Sequence, residues 1–329
     1  MDFSELMRLA SGHVEARLIQ GAVELAIFDA LENSAAAAET VAKQLKLEPM
    51  ATELLLNALA ALELLHKRGE VFILTETAAN YLVKSSPRYV GGMVRFESLL
   101  WNCWEKLPEA IRTGQPVRPP NMYQDDPLET EIFIKAMDSL VNARGDAPVT
   151  ANALDWSGVA ELLDVGSGPA SYPIAFCKRF PGLRATIFDL PGTLAITDRQ
   201  IREANMTARI QQIAGDYRND PIPGRYDMIF LSNIIHGESL EINRSLIRKL
   251  ASNLKPGGQI VIKDHILEDS RTAPPVGAIF SLLMLLTTAS GRCYSFSEIK
   301  TWMGQAGLTR VRQIDLPPPL TSSLVIGSE

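Results

Sequence analysis

The stretch Glu161-Leu162-Leu163-Asp164-Val165-Gly166-Ser167-Gly168-Pro169-Ala170 decides the fold class. An apolar run ending in Asp164 reads as a parallel strand buried in a sheet. Gly166 and Gly168 let the backbone turn tightly and approach a ligand closely. Pro169 suits the first turn of the helix that follows. A strand, a glycine turn and a helix N-terminus together make a nucleotide-binding corner. Short glycine patterns recur by chance, so the weight of this one comes from its surroundings.

Downstream of the corner, strands and helices alternate, which implies a parallel α/β sheet. Strands are expected at 161–165, 185–189, 209–214, 226–232, 259–265, 310–314 and 322–328. Helices are expected between them, notably Pro169 to Phe180 and Ser239 to Leu254. The second carries an apolar stripe (Leu246, Ile247, Leu250, Leu254) and stops at Lys255-Pro256-Gly257-Gly258.

Upstream, Ala-, Leu- and Glu-rich segments from about Ser4 to Leu31 and Glu39 to Leu65 read as helices. A break near Leu47-Glu48-Pro49 makes the second a helix-turn-helix, and Gly69 to Leu74 follows as a short β wing. A winged-helix module that binds DNA is therefore one reading. Charge argues against it. Residues 1–90 hold 8 Lys+Arg against 12 Asp+Glu, and no Lys or Arg lies between Pro49 and Leu65. DNA binding draws most of its free energy from phosphate neutralisation, and this footprint is missing.

The whole chain, with a net charge of −6 over 329 residues, has no global attraction for nucleic acid or anionic lipid. Its three cysteines (Cys103, Cys177, Cys293) have neither metal-ligand spacing nor a disulfide framework. That suggests the reducing cytoplasm, and no export signal is visible at the N-terminus. The uncharged segment between Arg271 and Arg292 contains only Ala278 to Leu286 as a dense apolar stretch. This is too short for a bilayer of ~30 Å and reads as a buried helix lining a pocket or subunit contact.

Asp189 ends the second strand, 25 residues after Asp164. With Leu190 beside it, it can accept from the hydroxyls of a ribose; the alternative is a carboxylate capping the turn Leu190-Pro191-Gly192. Asp216 and Tyr217 end the third strand where an adenine would lie, or form an ordinary turn. A nicotinamide dinucleotide is disfavoured, since the third fingerprint glycine is Ser171 here. Asp164, ahead of the glycines, suits a ligand that carries an ammonium group.

The run LLDVGSGPA, then FDLP at 188–191, AGDY at 214–217, Asn233-x-x-His236 and LKPGG at 254–258 resembles the S-adenosylmethionine-dependent class I methyltransferases. More narrowly, it is similar to the dimeric small-molecule O-methyltransferases that act on caffeate, acetylserotonin and bacterial polyketides. The resemblance covers nearly the whole chain. It implies a Rossmann-like seven-stranded α/β sheet over 116–329 and an all-α, winged-helix-like dimerisation domain over 1–115. It further implies a homodimer, S-adenosyl-L-methionine as cofactor and a small-molecule acceptor, with no nucleic acid, membrane or metal. Gly166, Gly168 and Asp164 would meet the methionine portion, Asp189 and Leu190 the ribose, and Asp216 and Tyr217 the adenine. Ser232 falls where the family often has a cofactor-contacting lysine.

His236 occupies the position of the family's general base, and Asp264, 28 residues later, that of the acid orienting it. A base is needed because a phenol of pKa about 10 is only ~0.1% ionised at neutral pH. Phe133 and Met137 match positions that contact a flat acceptor, and Met284 is a further pocket candidate. Two positions depart from the family: Gly237 follows His236 in place of an acid, and Gly291-Arg292 leads to Cys293 rather than to a second carboxylate. These leave C- or N-methyl transfer as an alternative, beside a winged-helix regulator that senses a ligand.

Overall fold

The computed structural model describes residues 1–121 and 123–329. Its strands are β1 (Ala36–Ala37), β2 (Leu65–Arg68), β3 (Val71–Leu74), β4 (Glu161–Val165), β5 (Arg184–Asp189), β6 (Ile210–Ala214), β7 (Tyr226–Ser232), β8 (Leu254–Asp264), β9 (Arg310–Asp315) and β10 (Ser323–Ser328). The last seven form one sheet in the order β6-β5-β4-β7-β8-β10-β9. The first five are parallel, with Asp164 level with Ile187 on one side and Phe230 on the other.

The sheet, expected as parallel, has one reversed strand. β10 runs antiparallel to both β8 and β9. Residues 316–322, between β9 and β10, contain no helix, and a parallel return needs a crossover of a dozen or more residues. β8 starts at Leu254 rather than at 259, because Lys255 to Gly258 are taken up by an irregularity in its pairing with β7. Leu163, Val165, Ile229, Leu231, Ile260 and Ile262 are fully buried in the sheet's core, with Trp302 and Tyr294 packed into the same cluster. Burying each aliphatic side chain contributes about 1.5–3 kcal/mol, so the central strands are stiff supports for whatever their tips carry.

The chain falls into two compact units. One comprises Met1–Trp101 with Lys135–Ala143, the other Asn102–Ile134 with Arg144–Glu329. A boundary at 115/116 therefore misses two features. Helix Leu107–Thr113 packs on helix Pro275–Thr287 within the second unit, and the Val117 amide donates to the Leu286 carbonyl at 3.0 Å. Within the first unit, the Met93 amide donates to the Ser139 hydroxyl at 3.0 Å.

In the first unit the expected helix 4–31 is two, Phe3–Glu24 and Ile27–Ala30, separated at Ala26 with φ 58°. Helices Ala38–Leu45 and Pro49–Ala61 follow. The second ends before Leu65, which instead opens β2 and is buried with Phe28, Leu56 and Phe72. β2 and β3 pair as a hairpin and β1 adds a third strand, so this unit is not all-α as expected. Along helix Phe3–Glu24 only Gln20, Ala22 and Val23 are buried, while Phe3, Leu6, Leu9 and Val14 are exposed.

The segment 278–286 lies in helix Pro275–Thr287, where Gly277, Met284 and Leu286 are buried but Ile279 is 59% exposed. The helix is thus buried on one side only. Among the described residues, no helix is long and apolar enough to cross a membrane.

Candidate active site

The strand order reverses beside β4, so the carboxyl ends of β4 and β7 flank the crevice where open α/β sheets bind ligands. Gly166 leaves β4 with φ 67°, its amide donating to the Phe188 carbonyl at 2.9 Å. A Cβ there would come within 2.3 Å of Ile234 Cδ1, whose side chain would have to move, and the positive φ strains any residue but glycine. Pro169 does not open the next helix as expected. That helix is Ser171–Arg179, and Ala170 precedes it in the left-handed region with φ 61°.

Two carboxylates hold the turn. The Ser167 hydroxyl donates to Asp164 Oδ2 at 2.6 Å, and the Gly168 amide to Asp189 Oδ2 at 2.8 Å. The Leu190 amide donates to the other Asp189 oxygen at 2.7 Å. Asp189 thus does the capping that its position allowed. Burial pushes the Asp164 carboxyl up to about 7, opposed by the Ser167 hydroxyl and reinforced by the Asp189 charge. Burial likewise pushes Asp189 up to about 6, against the Gly168 and Leu190 amides and the Thr193 hydroxyl. Among the described residues neither carboxylate has a cationic partner, and a ligand with an ammonium group or paired hydroxyls would favour its ionised form.

Asp216 is engaged within its own turn. The Arg218 guanidinium grips both its oxygens at 2.8–3.1 Å, and the Arg218 amide donates at 2.9 Å. Those Arg218 hydrogen bonds, outweighing burial, hold the Asp216 carboxyl below its ordinary range. Tyr217 turns inward, its hydroxyl donating to Glu238 Oε1 at 2.7 Å while Lys249 Nζ donates to its carbonyl at 2.8 Å.

β7 ends at Ser232, level with Lys263 on β8. The following turn Ile235–Gly237 carries His236, whose Nδ1 lies 2.7 Å from Asp264 Oδ1. The His265 amide donates to the same oxygen at 2.7 Å. Asp264 is 1% exposed, a buried rather than a solvated strand end. Burial raises its carboxyl, yet the His236 imidazole, followed by His265, outweighs this and holds it below the ordinary carboxylate range. Phe280 sets its ring edge-on to His236, with 4.8 Å between ring centroids. Burial and the Asp264 charge push the Cys293 thiol up to about 12, so it stays protonated and unreactive. Gly237 has open space where a side chain would be, so nothing steric forces a glycine after the histidine.

Of the acceptor candidates, Met284 is buried on helix Pro275–Thr287 in the same unit as His236. Phe133 belongs to that unit as well, and stacks on Tyr123 with centroids 4.6 Å apart. Met137 lies in the segment that groups with the first unit.

Sequence reasoning missed a buried polar cluster behind Ser232. Asp146 is fully buried and takes Arg144 through both oxygens at 2.7 and 3.0 Å, Lys263 Nζ at 3.2 Å and the Tyr172 hydroxyl at 3.3 Å. Lys263 is also fully buried, and burial holds its ammonium below the usual lysine range despite Asp146. Only its adjacency to Asp264 marked it in the sequence. Glu238 was missed too, two residues beyond His236 with no motif of its own.

The chain matches the O-methyltransferase domain family over residues 107–309 and the O-methyltransferase dimerisation domain family over residues 7–84. It is 32% identical to a 3-hydroxy-5-methyl-1-naphthoate 3-O-methyltransferase of Streptomyces sahachiroi, across 98% of this chain and 94% of that protein. It is 27% identical to the N,N-dimethyltransferase OxyT of Streptomyces rimosus, across 94% of this chain and 91% of that one. The crystal structure of human N-acetylserotonin methyltransferase in complex with S-adenosylmethionine has the same fold. Its TM-score is 0.90 at 23% identity, over 100% of this chain and 98% of that one. The motifs from LLDVGSGPA to LKPGG, the reversed sheet order and the two domain matches converge, and the chain belongs to the O-methyltransferase family.

Proposed function

We propose that this O-methyltransferase transfers a methyl group to a hydroxyl of a small aromatic or polyketide-like molecule, with His236 as general base. S-Adenosylmethionine is the methyl donor, and its sulfonium supplies a methyl group already activated toward an oxygen nucleophile. Asp164, Gly166 and Gly168 would hold its methionine portion, Asp189 and Leu190 its ribose, and Tyr217 and the Ser232 strand end the remainder. Asp216 contributes by fixing the Tyr217 loop through Arg218.

The observation carrying the reading is the His236–Asp264 contact of 2.7 Å in a buried setting. With Nδ1 committed to the carboxylate, Nε2 is the nitrogen that takes the acceptor proton, and ionised Asp264 stabilises the imidazolium formed. Such a base contributes roughly 10²–10⁴-fold. Phe280 and Met284 exclude water on the helix beside the base, and Phe133 offers a flat surface to an acceptor. N-methyl transfer is the second reading, favoured by the name of the OxyT relative.

The exposed apolar side chains Phe3, Leu6, Leu9 and Val14 fall on or beside the dimerisation match and support a homodimer. The three buried, unpaired cysteines suit a cytoplasmic enzyme. Calorimetry with S-adenosylhomocysteine, followed by a mass-spectrometric screen of phenols, naphthols and arylamines for methyl gain, tests the reading. Binding with gain on hydroxyl acceptors is expected. No heat of binding, or gain confined to amines, contradicts it.

A further inference from the structure

The turn bearing His236 is tied to the loop after β6 by one side chain. Glu238 is 5% exposed and lies immediately past the Ile235–Gly237 turn. Its Oε1 accepts from the Tyr217 hydroxyl at 2.7 Å. Its carbonyl accepts from the Tyr294 hydroxyl at 2.6 Å, and Asn243 Nδ2 donates to the Ile235 carbonyl at 2.8 Å. The two ends of the turn are therefore pinned, one from the loop bearing Tyr294 and the other from helix Leu240–Ser252. Tyr217 in turn borders the glycine corner, with Cε1 3.9 Å from the point a Cβ on Gly166 would occupy. A single carboxylate thus links the Tyr217 loop, beside the glycine corner, to the turn that carries the base.

We propose that Glu238 is a positioning residue for methyl transfer, coupling the Tyr217 loop to the His236 turn so that occupancy of the cleft sets the base. The inference rests on the cofactor reading of the β4 to β6 strand tips. The Tyr217–Glu238 bond joins the two loops. A nucleoside seated against Tyr217 would press on the same bond, and the displacement reaches His236 through two peptide units. A buried hydrogen bond to a carboxylate is strong enough to transmit this, since losing one costs roughly tenfold in an equilibrium constant.

The test uses the full chain with ¹³C-labelled histidine and S-adenosylhomocysteine as probe. Binding is followed by calorimetry and the His236 ring by NMR. Tyr217→Phe removes the donor, Glu238→Ala removes the acceptor, and Glu238→Gln keeps an acceptor oxygen in place. The expected result is a His236 resonance that moves on binding in the wild type and in Glu238→Gln. In Tyr217→Phe and Glu238→Ala that movement is lost and affinity falls about tenfold. Should Glu238→Ala fail to fold, Tyr217→Phe decides alone. An unchanged His236 response in Tyr217→Phe overturns the coupling, even if affinity drops. A wild type that binds no S-adenosylhomocysteine fails earlier, on the cofactor reading itself.

Discussion

Asp264 Oδ1 is shared between the His236 ring and the His265 backbone amide, each at 2.7 Å. The amide fixes the carboxylate, and the carboxylate fixes the imidazole. In Asp264→Asn the amide group can donate to Nδ1, which drives the ring proton to Nε2 and removes the proton-accepting nitrogen. Turnover is expected to fall by roughly 10²-fold or more, with S-adenosylhomocysteine affinity nearly unchanged. Initial rates and calorimetry on the same preparation check both halves.

Asp164 gives a pH prediction of definite sign. Its carboxyl titrates at about 7 in the fold against an ordinary 3.8. The folded state therefore binds the proton more tightly than the unfolded one. The stability this contributes is complete below about pH 4 and is lost as pH rises toward 7. Asp164→Asn should stabilise the ligand-free protein at pH 8 by about 1–4 kcal/mol, seen as a higher Tm, while weakening cofactor binding. In the wild type, affinity for the cofactor ammonium should decline below pH 7 as Asp164 protonates. A pH-independent affinity between 5.5 and 8 would contradict the pairing.

The strand tips were legible because each motif carries a local physical signature. Asp164 and Asp189 lie at the ends of apolar strands and His236 just beyond one, and β4 to β7 differ from expectation by at most one residue at an end. The antiparallel β10 was not legible, because strand direction depends on a connection whose lack of helix shows only in space. The Arg144–Asp146–Lys263 cluster was hidden for a similar reason: Asp146 and Lys263 are 117 residues apart. Helix Leu107–Thr113 joined the second unit through packing on helix Pro275–Thr287, which no periodicity signals.

Glycine is expected to matter at 166 and not at 237. Gly166→Ala meets both the positive φ and the Ile234 contact, and should destabilise by about 1–3 kcal/mol. Gly237→Ala meets no atom within 4 Å and should stay within about 0.5 kcal/mol of the wild type. Urea unfolding of the two variants side by side measures the contrast.

Asp146 stands between two buried or half-buried cations. Asp146→Ala leaves the Lys263 ammonium buried without its partner and should cost about 3–5 kcal/mol. Adding Lys263→Met to it removes the stranded charge and should recover much of the loss. Thermal or urea unfolding of the single and double variants gives the coupling energy. Additive losses would show that the two side chains do not act as a pair.

The most direct trial is the methyl-transfer rate of His236→Ala at saturating S-adenosylmethionine, with S-adenosylhomocysteine affinity measured alongside. The account predicts a fall of roughly 10²–10⁴-fold in rate and affinity within about threefold, because the β4 to β6 tips are untouched. A rate within about threefold of the wild type, with the fold intact, would contradict it.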